Sequence, residues 1–392
     1  MLRSPLMAPP RRVLITLDAV GGVWRYAIDL ARGLGQHGVE CLLVGFGPAP
    51  GPDGIEEAEA LANASLIWPG GSLDWLVETE GELEGAARAL TELARDWRPD
   101  LLHLNLPSQA VGLPDDLPPV LVASHSCLAT WWAAVRGGTP PAAWHWQRRR
   151  TQEGLQRAAC VVLPSMSHAA ATQDAYGAIA EHEIVYNASP VAHGSAERQE
   201  IALAAGRWWD EGKNGATLDA AALLTSWRVL MAGPQTGPNG QSCELRHASP
   251  LGQLPAPSIC ALMEHAAVFV APSLYEPFGL AVLEAAHRGA ALVLADIPTF
   301  RELWQDAALF VPPREAPAYA QAIDKLMTDR ELRSRLARRA RLRALDFRSE
   351  RQVAGMLAAY ARACSGSSGH ARAQSALRAS SAAAEPTPDM AV

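Results

Sequence analysis

The stretch SLYEPFGLAVLEAAHRGAALV, residues 273–293, keeps two carboxylates, Glu276 and Glu284, in a mostly apolar segment. It overlaps the end of the β-rich run AVFVAPS and turns at Pro-Phe-Gly, after which a helix is predicted to begin near Gly279 or Leu280. In open α/β sheets, ligands settle beyond the carboxyl ends of the strands, where helix N-termini present unpaired N–H groups. The stretch therefore predicts a binding site made from a strand end, a loop and a helix start.

Strand and helix patterns alternate through the first half of the chain. RRVLITL (11–17) predicts a strand, DAVGG a loop, VWRYAIDLARGLGQHG a helix that ends on Gly38, and VECLLVGF a second strand. The alternation continues through DLLHLNL, PVLVASH, ACVVLPS and HEIVYN. These patterns predict a Rossmann-like domain over residues 11–194, preceded by a flexible N-terminus over residues 1–10.

The alternation restarts after the turn-rich segment YNASPVAHGSAE (186–197). Strands are predicted at EIALAAGR, WRVLMAGP, AVFVAPS, ALVLAD and ALFVPP, with helices between most of them. This half predicts a second Rossmann-like domain over 195–347, followed by one amphipathic helix over 348–363. The Ser, Ala, Gly and Pro content of residues 364–392 predicts a disordered tail. The predicted fold class is α/β, with two tandem Rossmann-like domains.

Composition excludes several kinds of protein. The chain has 392 residues, 49% of them hydrophobic, and a net charge of -7, which favours a globular protein and gives no basic field for nucleic acid. Its six cysteines lie far apart without a Cys-x-x-Cys or a metal-spaced His cluster, which favours a reducing cytoplasm and no metal site. The N-terminal segment lacks a signal-peptide core, and no apolar run approaches the ~20 residues of a spanning helix.

Two basic residues follow the first strand of the second half, in the segment AAGRWWDEGKN. Arg207 and Lys213 could pair with the charges of a diphosphate, which cannot be desolvated unpaired; the alternative is two solvated surface cations. A carboxylate repels phosphate, so Glu276 and Glu284 are expected to accept hydrogen bonds from hydroxyl groups. A ligand with a central diphosphate and a polyol on each side satisfies both demands. Nucleotide sugars have that shape.

The first half contributes glycines and histidines at strand ends. Gly21 and Gly22 lie in the loop of LDAVGGVWR. They could allow a helix N-terminus to bind phosphate, and the alternative is that they form only a tight turn. His103 and His125 each end a strand of the same domain, where a cleft residue would lie. A structural role is the alternative for both histidines.

Residues 131–150 are rich in tryptophan and arginine. Trp131, Trp132, Trp144 and Trp146 could stack on a sugar or contact a membrane surface, and core packing is preferred for at least two of them. The run Arg148 to Arg150 is predicted to be a solvated helix face. Peripheral contact with a membrane through this segment is a second hypothesis beside a purely soluble enzyme.

These motifs together resemble the retaining nucleotide-sugar glycosyltransferases of the GT-B fold, specifically family 4. EPFGLAVLE is similar to the family's E-x7-E signature, GRWWDEGKN to its Arg and Lys phosphate clamp, VYNAS to its linker turn, and GGVWRYAIDLARGLGQHG to its first loop and helix. The resemblance covers about residues 12–363, with the motifs in the family's order. It implies two Rossmann-like domains that face a central cleft, with the C-terminal helix crossing back to the N-terminal domain.

The resemblance implies transfer of a glycosyl group from a nucleoside-diphosphate sugar to an acceptor hydroxyl, with retained anomeric configuration and without a metal ion or cofactor. Arg207 and Lys213 would hold the diphosphate and stabilise the charge that develops on it. Glu284 would bind the ribose, and Glu276 the hydroxyls of the donor sugar.

The remaining site residues implied by the resemblance come from both halves of the chain. The segment Phe278, Gly279 and Leu280 would bind the nucleotide sugar, partly through backbone N–H groups. Gly21 and Gly22 would close over the phosphates from the other domain, and His125 would lie near the transferred sugar. Two positions depart from the family pattern: Ala188 stands where the family usually has Gly, and ASHSC lacks the acidic residue often found beside that histidine.

Three other classes of protein are weighed against a transferase. A nucleotide-sugar epimerase shares the two-domain architecture but needs additional acid and base carboxylates, for which the sequence shows no clear set. A non-catalytic scaffold of the same fold is disfavoured by the intact Glu276, Arg207 and Lys213. A dinucleotide oxidoreductase is disfavoured because neither half carries a glycine fingerprint followed by a ribose-binding acid.

Overall fold

Two parallel β-sheets flanked by helices form the protein. The computed structural model describes residues 9–179, 181–190 and 197–382, with side chains described through residue 365. The first sheet contains β1 (Arg12–Leu17), β2 (Glu40–Gly45), β3 (Ala64–Ile67), β4 (Leu101–Leu104), β5 (Val120–Ala123), β6 (Cys160–Leu163) and β7 (His182–Ile184). The second contains β8 (Gln199–Ala205), β9 (Arg228–Ala232), β10 (Ser249–Gly252), β11 (Ala266–Ala271), β12 (Ala291–Ala295) and β13 (Ala308–Val311).

The helices cover both sheets. In the first half they are α1 (Gly22–Gly35), α2 (Pro52–Glu59), α3 (Glu84–Trp97), α4 (Leu128–Val135), α5 (His145–Arg157) and α6 (Met166–Tyr176). In the second half they are α7 (Gly215–Ala222), α8 (Ala256–His265), α9 (Leu280–His287), α10 (Pro298–Trp304), α11 (Ala316–Thr328), α12 (Arg330–Ala344) and α13 (Ser349–Ala382). The α/β fold class expected from the sequence is confirmed.

The strand order places a crevice in each sheet. The orders are β3-β2-β1-β4-β5-β6-β7 and β10-β9-β8-β11-β12-β13, with all pairings parallel. The order reverses between β1 and β4 in one sheet and between β8 and β11 in the other, and ligands of doubly wound sheets bind beyond such switch points. The glycine loop follows β1, the segment with Arg207 follows β8, and the loop with Glu276 follows β11. Three of the four switch-point strands therefore lead into predicted site residues.

Buried apolar strands explain the two cores. Val13, Leu14 and Ile15 of β1 have no exposed surface, and every residue of β11 is buried. Such continuous apolar runs are typical of parallel strands covered by helices on both faces. Each sheet accordingly has one apolar cluster on either face.

The last helix, α13, returns to the first sheet. Val353, Met356 and Tyr360 of α13 belong to the same buried cluster as β1 and α1. The Tyr360 hydroxyl also lies 2.8 Å from His103 Nδ1 in β4. This crossing agrees with the arrangement that the family resemblance implied.

The end of α13 differs from its predicted end at residue 363. The backbone is helical to Ala382, so residues 364–382 do not follow the prediction of a disordered tail. The segment contains alanine, arginine, glutamine and leucine beside its serines and glycines, and these four residue types are good helix formers. Residues 1–8, the predicted domain junction at 194 and 195, and the tail residues 383–392 lie outside the described residues. Among the described helices, none has the length and apolarity needed to traverse a bilayer.

Candidate functional site

Lys213 and Glu276 meet at the carboxyl edge of the second sheet. Lys213 Nζ donates a hydrogen bond to Glu276 Oε2, and the two side chains are 20% and 16% exposed. The Lys213 stem passes Gly206, since a Cβ on that glycine would lie 3.7 Å from the lysine Cγ and Cδ. Lys213 ends a short 3-10 turn that follows β8, and Glu276 lies in the loop after β11. The cation and the carboxylate predicted on separate grounds are therefore direct partners.

The loop after β11 places the N-terminus of α9 beside the Lys213 and Glu276 pair. Gly279 precedes the helix with φ of 92°, a left-handed conformation that favours glycine. A Cβ there would lie 3.3 Å from Glu276 Cγ and 3.0 Å from Phe300. The helix begins at Leu280, so the first N–H groups of α9 have no partner within the helix and can bind an anion. The predicted helix start is confirmed.

The glycine loop of the first domain lies against these residues. A Cβ on Gly21 would come within 2.8 Å of Arg207 Nη1, and one on Gly22 within 3.5 Å of Leu280 Cδ1. The Arg207 side chain is 33% exposed and lies 5.3 Å above the Trp209 ring. The two glycines therefore bring the start of α1 close to the cation and to the start of α9.

These contacts close into a ring that spans both domains. We call it the cleft ring and define it by its members in order: Gly21, Arg207, Gly206, Lys213, Glu276, Gly279, Leu280 and Gly22. It joins two cations, one carboxylate and two helix N-termini. Such a set of groups suits an anion with hydroxyl groups beside it.

Asp18 adds a carboxylate that the sequence analysis did not single out. It is half-buried in the loop after β1, and its Oδ1 accepts a hydrogen bond from the Val20 N–H at 2.9 Å. Burial raises the pKa of Asp18, although the Val20 N–H and the Arg207 charge act in the opposite direction. Its placement directly after a switch-point strand was the signal that could have identified it.

Glu284 lies one turn inside α9 and interacts electrostatically with Arg25 of α1. Burial raises the pKa of Glu284, while the charges of Arg288 and Arg25 oppose that rise. Arg25 also pairs with Glu57 and, at 3.7 Å, with Asp29. Arg25 was not predicted as a site residue, although its position in the first turn after the glycine loop was an available signal.

Phe278 enters the core rather than the cleft. Its side chain is 3% exposed and meets the Phe347 ring edge-on at a centroid distance of 5.5 Å. The phenyl group therefore holds the loop in place. Contact between Phe278 and a ligand would have to come from the backbone.

His125 is half-buried at the end of β5 and is held on two sides. Its Nε2 lies 2.8 Å from Asn105 Oδ1, and the Tyr26 ring packs edge-on at 4.3 Å between centroids. Burial lowers the pKa of His125 to about 3, with further lowering from His103 and His168. The imidazole is therefore neutral at physiological pH, which suits hydrogen bonding rather than charge pairing.

His103 is fully buried and belongs to the support of the site. Its Nδ1 is bonded to Tyr360, and burial lowers its pKa to about 3. The structural alternative proposed for this histidine therefore fits its position, and the cleft alternative does not.

Several direct contacts join the two domains around the cleft ring. Thr130 and Tyr275 share a hydrogen bond of 2.7 Å between their hydroxyl groups, and Ser165 Oγ donates to the Pro277 carbonyl at 2.7 Å. Glu302 accepts the backbone N–H of Ser167 at 2.7 Å and so caps the start of α6 from the other domain. The loop that carries Glu276 is thus held by the first domain as well as by its own.

Two expectations for residues 131–150 are wrong. All four tryptophans are half-buried, and none belongs to the apolar clusters. Trp131 instead donates a hydrogen bond to Asp210 of the other domain. Arg150 is 7% exposed and donates to the Ser108 and Val111 carbonyls, so this residue is not part of a solvated face. Only Arg148 and Arg149 are exposed as expected.

The described residues contain no group of three or more His, Cys, Asp or Glu side chains that could hold a metal ion. No disulfide bond joins any of the six cysteines, all of which lie within the described residues.

Two family models match the chain in succession. The model described as Glycosyltransferase Family 4 matches residues 20–191, and the model described as Glycosyl transferases group 1 matches residues 189–343. An α-D-kanosaminyltransferase of Streptomyces kanamyceticus is 36% identical over 86 residues, which are 21% of this chain and 22% of the relative. A phosphatidyl-myo-inositol mannosyltransferase of Mycolicibacterium smegmatis is 30% identical over 169 residues, 39% of this chain and 42% of the relative. The chain thus spans less than half the length of these curated relatives.

Solved structures share the whole fold. A sucrose-phosphate synthase from Thermosynechococcus elongatus superposes with a TM-score of 0.71 at 18% identity, covering 88% of this chain and 97% of that one. HepE of Anabaena, solved with UDP and glucose, superposes with a TM-score of 0.69 at 16% identity, covering 88% and 98%. With family models matching both halves of the sequence on this shared fold, the chain belongs to the group 1 glycosyltransferases of the GT-B fold.

Proposed function

We propose that this protein transfers a glycosyl group from a nucleoside-diphosphate sugar to an acceptor hydroxyl, with retention of the anomeric configuration and without a metal ion. The observation that carries the proposal is the cleft ring, in which two cations and two helix N-termini from different domains lie next to one another. A diphosphate supplies the negative charge that this arrangement favours.

The electrostatics of the cleft ring suit the leaving diphosphate. Arg207 and Lys213 are 33% and 20% exposed, so their charges act in a medium less polar than bulk water. In this structure Lys213 pairs with Glu276. A diphosphate would compete for the ammonium group, and the released carboxylate would then accept hydrogen bonds from hydroxyls of the donor sugar.

The proposed reaction proceeds on one face of the sugar. The bond from the acceptor oxygen to the anomeric carbon forms as the bond to the phosphate oxygen breaks, and the acceptor proton passes to that leaving oxygen. Catalysis then depends on preorganised groups that stabilise charge on the diphosphate, chiefly Arg207, Lys213 and the start of α9. Neutral His125 would hydrogen-bond the transferred sugar, and Glu284 the ribose.

The relatives support a nucleotide donor and leave the acceptor open to experiment. HepE was solved with UDP and with UDP-glucose, and a shared fold makes a UDP-sugar a reasonable first donor to test. Cysteines that form no disulfide bond favour a reducing compartment such as the cytoplasm. We retain peripheral membrane contact as a hypothesis, although Trp131, one of the four tryptophans that suggested it, is engaged at the domain interface.

The test begins with stabilisation by UDP, GDP and ADP, because a ligand of the native state raises the unfolding temperature according to its affinity. Nucleoside-diphosphate sugars that contain the tightest-binding nucleoside diphosphate are then supplied with a panel of acceptors. The anomeric configuration of the product is determined by NMR. We expect acceptor-dependent release of the nucleoside diphosphate and a retained configuration.

Lysine occurs only at positions 213 and 325, which provides a matched control. Lys213→Met should abolish diphosphate binding and turnover, while Lys325→Met, at an exposed position of α11, should leave both unchanged. Inversion at C2 of the sugar without transfer would identify an epimerase instead. Equal activity of the two variants would contradict the role given to Lys213.

A further inference from the structure

A tryptophan of the first domain reaches the segment that carries the two cations. Trp131 Nε1 donates a hydrogen bond of 2.9 Å to Asp210 Oδ1, and both side chains are half-buried. The contact is close, since a Cβ on Gly212 would come within 2.7 Å of the indole nitrogen. Trp131 thus has a specific polar partner in the other domain, which neither sugar stacking nor membrane contact explains.

Asp210 connects that tryptophan to both cations of the cleft ring. Its Oδ1 also accepts the Gly212 N–H at 2.9 Å, and its Oδ2 lies 3.5 Å from Arg207 Nη2. The Asp210 carbonyl accepts the Lys213 N–H at 2.8 Å. One residue between Arg207 and Lys213 therefore contacts the side chain of the first cation and the backbone of the second.

The same turn is coupled to the loop that carries Glu276. The Gly212 carbonyl accepts the Leu274 N–H at 2.8 Å. A rotation of Asp210 would therefore disturb the Gly212 peptide, and with it the spacing between Lys213 and Glu276.

We propose that Trp131 is a positioning residue that fixes Asp210, and through it Arg207 and Lys213, only when the two domains are in contact. The inference rests on the proposed function, because it assigns the cations to a diphosphate. With the indole N–H bonded to Oδ1, Asp210 keeps one oxygen on the turn and faces Arg207 with the other at a distance that leaves the guanidinium available. When the domains separate, Asp210 loses this partner and can turn fully towards Arg207, in competition with the diphosphate.

This arrangement links the affinity for the donor diphosphate to domain closure. A ligand that binds better to the closed state shifts the population towards it, and the closed state in turn binds that ligand better. Trp131 belongs to the acceptor-side domain and the cations to the donor-side domain. Closure over an acceptor would therefore tighten the hold on the diphosphate at the moment when charge develops there.

A second cross-domain pair serves as a matched control. Arg136 donates to Glu211 at 2.9 and 2.7 Å, and these side chains are 49% and 52% exposed. Exposed ion pairs contribute little to stability or affinity. Glu211→Gln therefore perturbs the same interface one residue from Asp210 without removing the indole hydrogen bond.

The experiment measures the dissociation constant of the full-length protein by calorimetry for whichever of UDP, GDP and ADP binds wild type tightest. Trp131→Phe keeps an aromatic ring and removes the N–H donor. We expect it to weaken binding roughly 5- to 10-fold, which is less than the direct loss of a hydrogen bond to a charged group because the effect reaches the diphosphate only through Asp210. Glu211→Gln should weaken binding less than about twofold. Thermal midpoints without ligand establish that each variant is folded.

A double-mutant cycle separates positioning from simple packing. In an Asp210→Ala background, Trp131→Phe should have no further effect on affinity, because its partner is absent. An unchanged affinity in Trp131→Phe, or an equal loss in both backgrounds, refutes the inference and leaves the proposed function intact. Failure of all three diphosphates to bind wild type refutes the proposed function and this inference with it.

Discussion

Because Gly21 lies close to Arg207, we predict that adding one methyl group in Gly21→Ala will weaken diphosphate binding while leaving folding stability nearly unchanged. In Gly21→Ala the new Cβ would lie 2.8 Å from Arg207 Nη1, too close for a real contact, so the guanidinium must move. The backbone of Gly21 is extended, with φ of -142° and ψ of -157°, which alanine also adopts. The substitution therefore acts on the cation rather than on the loop.

The expected magnitudes follow from these contacts. A displaced Arg207 loses a charge-assisted hydrogen bond to the diphosphate, worth about 1.5–3 kcal/mol. Affinity should therefore fall roughly 10- to 150-fold. The free energy of unfolding should change by less than about 1 kcal/mol, because the lower entropy of the unfolded chain offsets the poorer N-cap preference of alanine.

Calorimetry with the tightest-binding nucleoside diphosphate and urea unfolding of the unliganded protein measure the two quantities. Gly85→Ala is the control, since that glycine is exposed in α3 and a Cβ there meets nothing within 4 Å. It should keep wild-type affinity. Wild-type affinity in Gly21→Ala, at wild-type stability, would show that Arg207 does not hold the diphosphate from its present position.

Two further predictions concern the partners of Lys213 and the buried histidines. Glu276→Gln should bind the free nucleoside diphosphate about threefold tighter, because Lys213 loses its competing partner, while turnover of the sugar donor falls on the order of 100-fold. Calorimetry measures the affinity and initial rates measure the turnover. Weaker diphosphate binding would contradict the prediction. The pKa of His103 is lowered from 6.5 to about 3, so the unfolded chain binds more protons below pH 6.5 and stability is lost as the pH falls towards 3. In His103→Asn, the slope of the unfolding free energy against pH between pH 7 and 5 should be smaller than in wild type by up to about 1.4 kcal/mol per pH unit. Urea unfolding at several pH values measures both slopes, and equal slopes in the two proteins would refute the prediction.

Much of the architecture could be predicted because it depends on local patterns. The runs that became β1 and β11 are continuously apolar, and turn residues bound them, so both strands could be assigned from the sequence. Gly279 could be placed at a helix start because a Pro-Phe-Gly turn precedes an apolar helix pattern. The ion pair between Lys213 and Glu276 was not predicted as such, but both residues were assigned to one sheet edge by their position after β8 and β11.

The contacts that were not predicted depend on how separate parts of the chain meet. Arg25 faces Glu284 and Trp131 bonds Asp210 only because α1 and α4 are brought against the second domain. No periodicity within either half carries that information. Arg150 was assigned to a solvated face because three arginines in succession usually are solvated, whereas carbonyls from a separate loop bury its guanidinium here.

The return of α13 to the first sheet affects how the protein can be made. The core around β1 includes Val353, Met356 and Tyr360, which leave the ribosome after the entire second domain. The core of the first domain therefore stays incomplete while the second domain is synthesised. The domain that is translated first completes its core last. A truncation before residue 349 should expose the apolar surface of α1 and lead to aggregation of a domain whose own strands are all present.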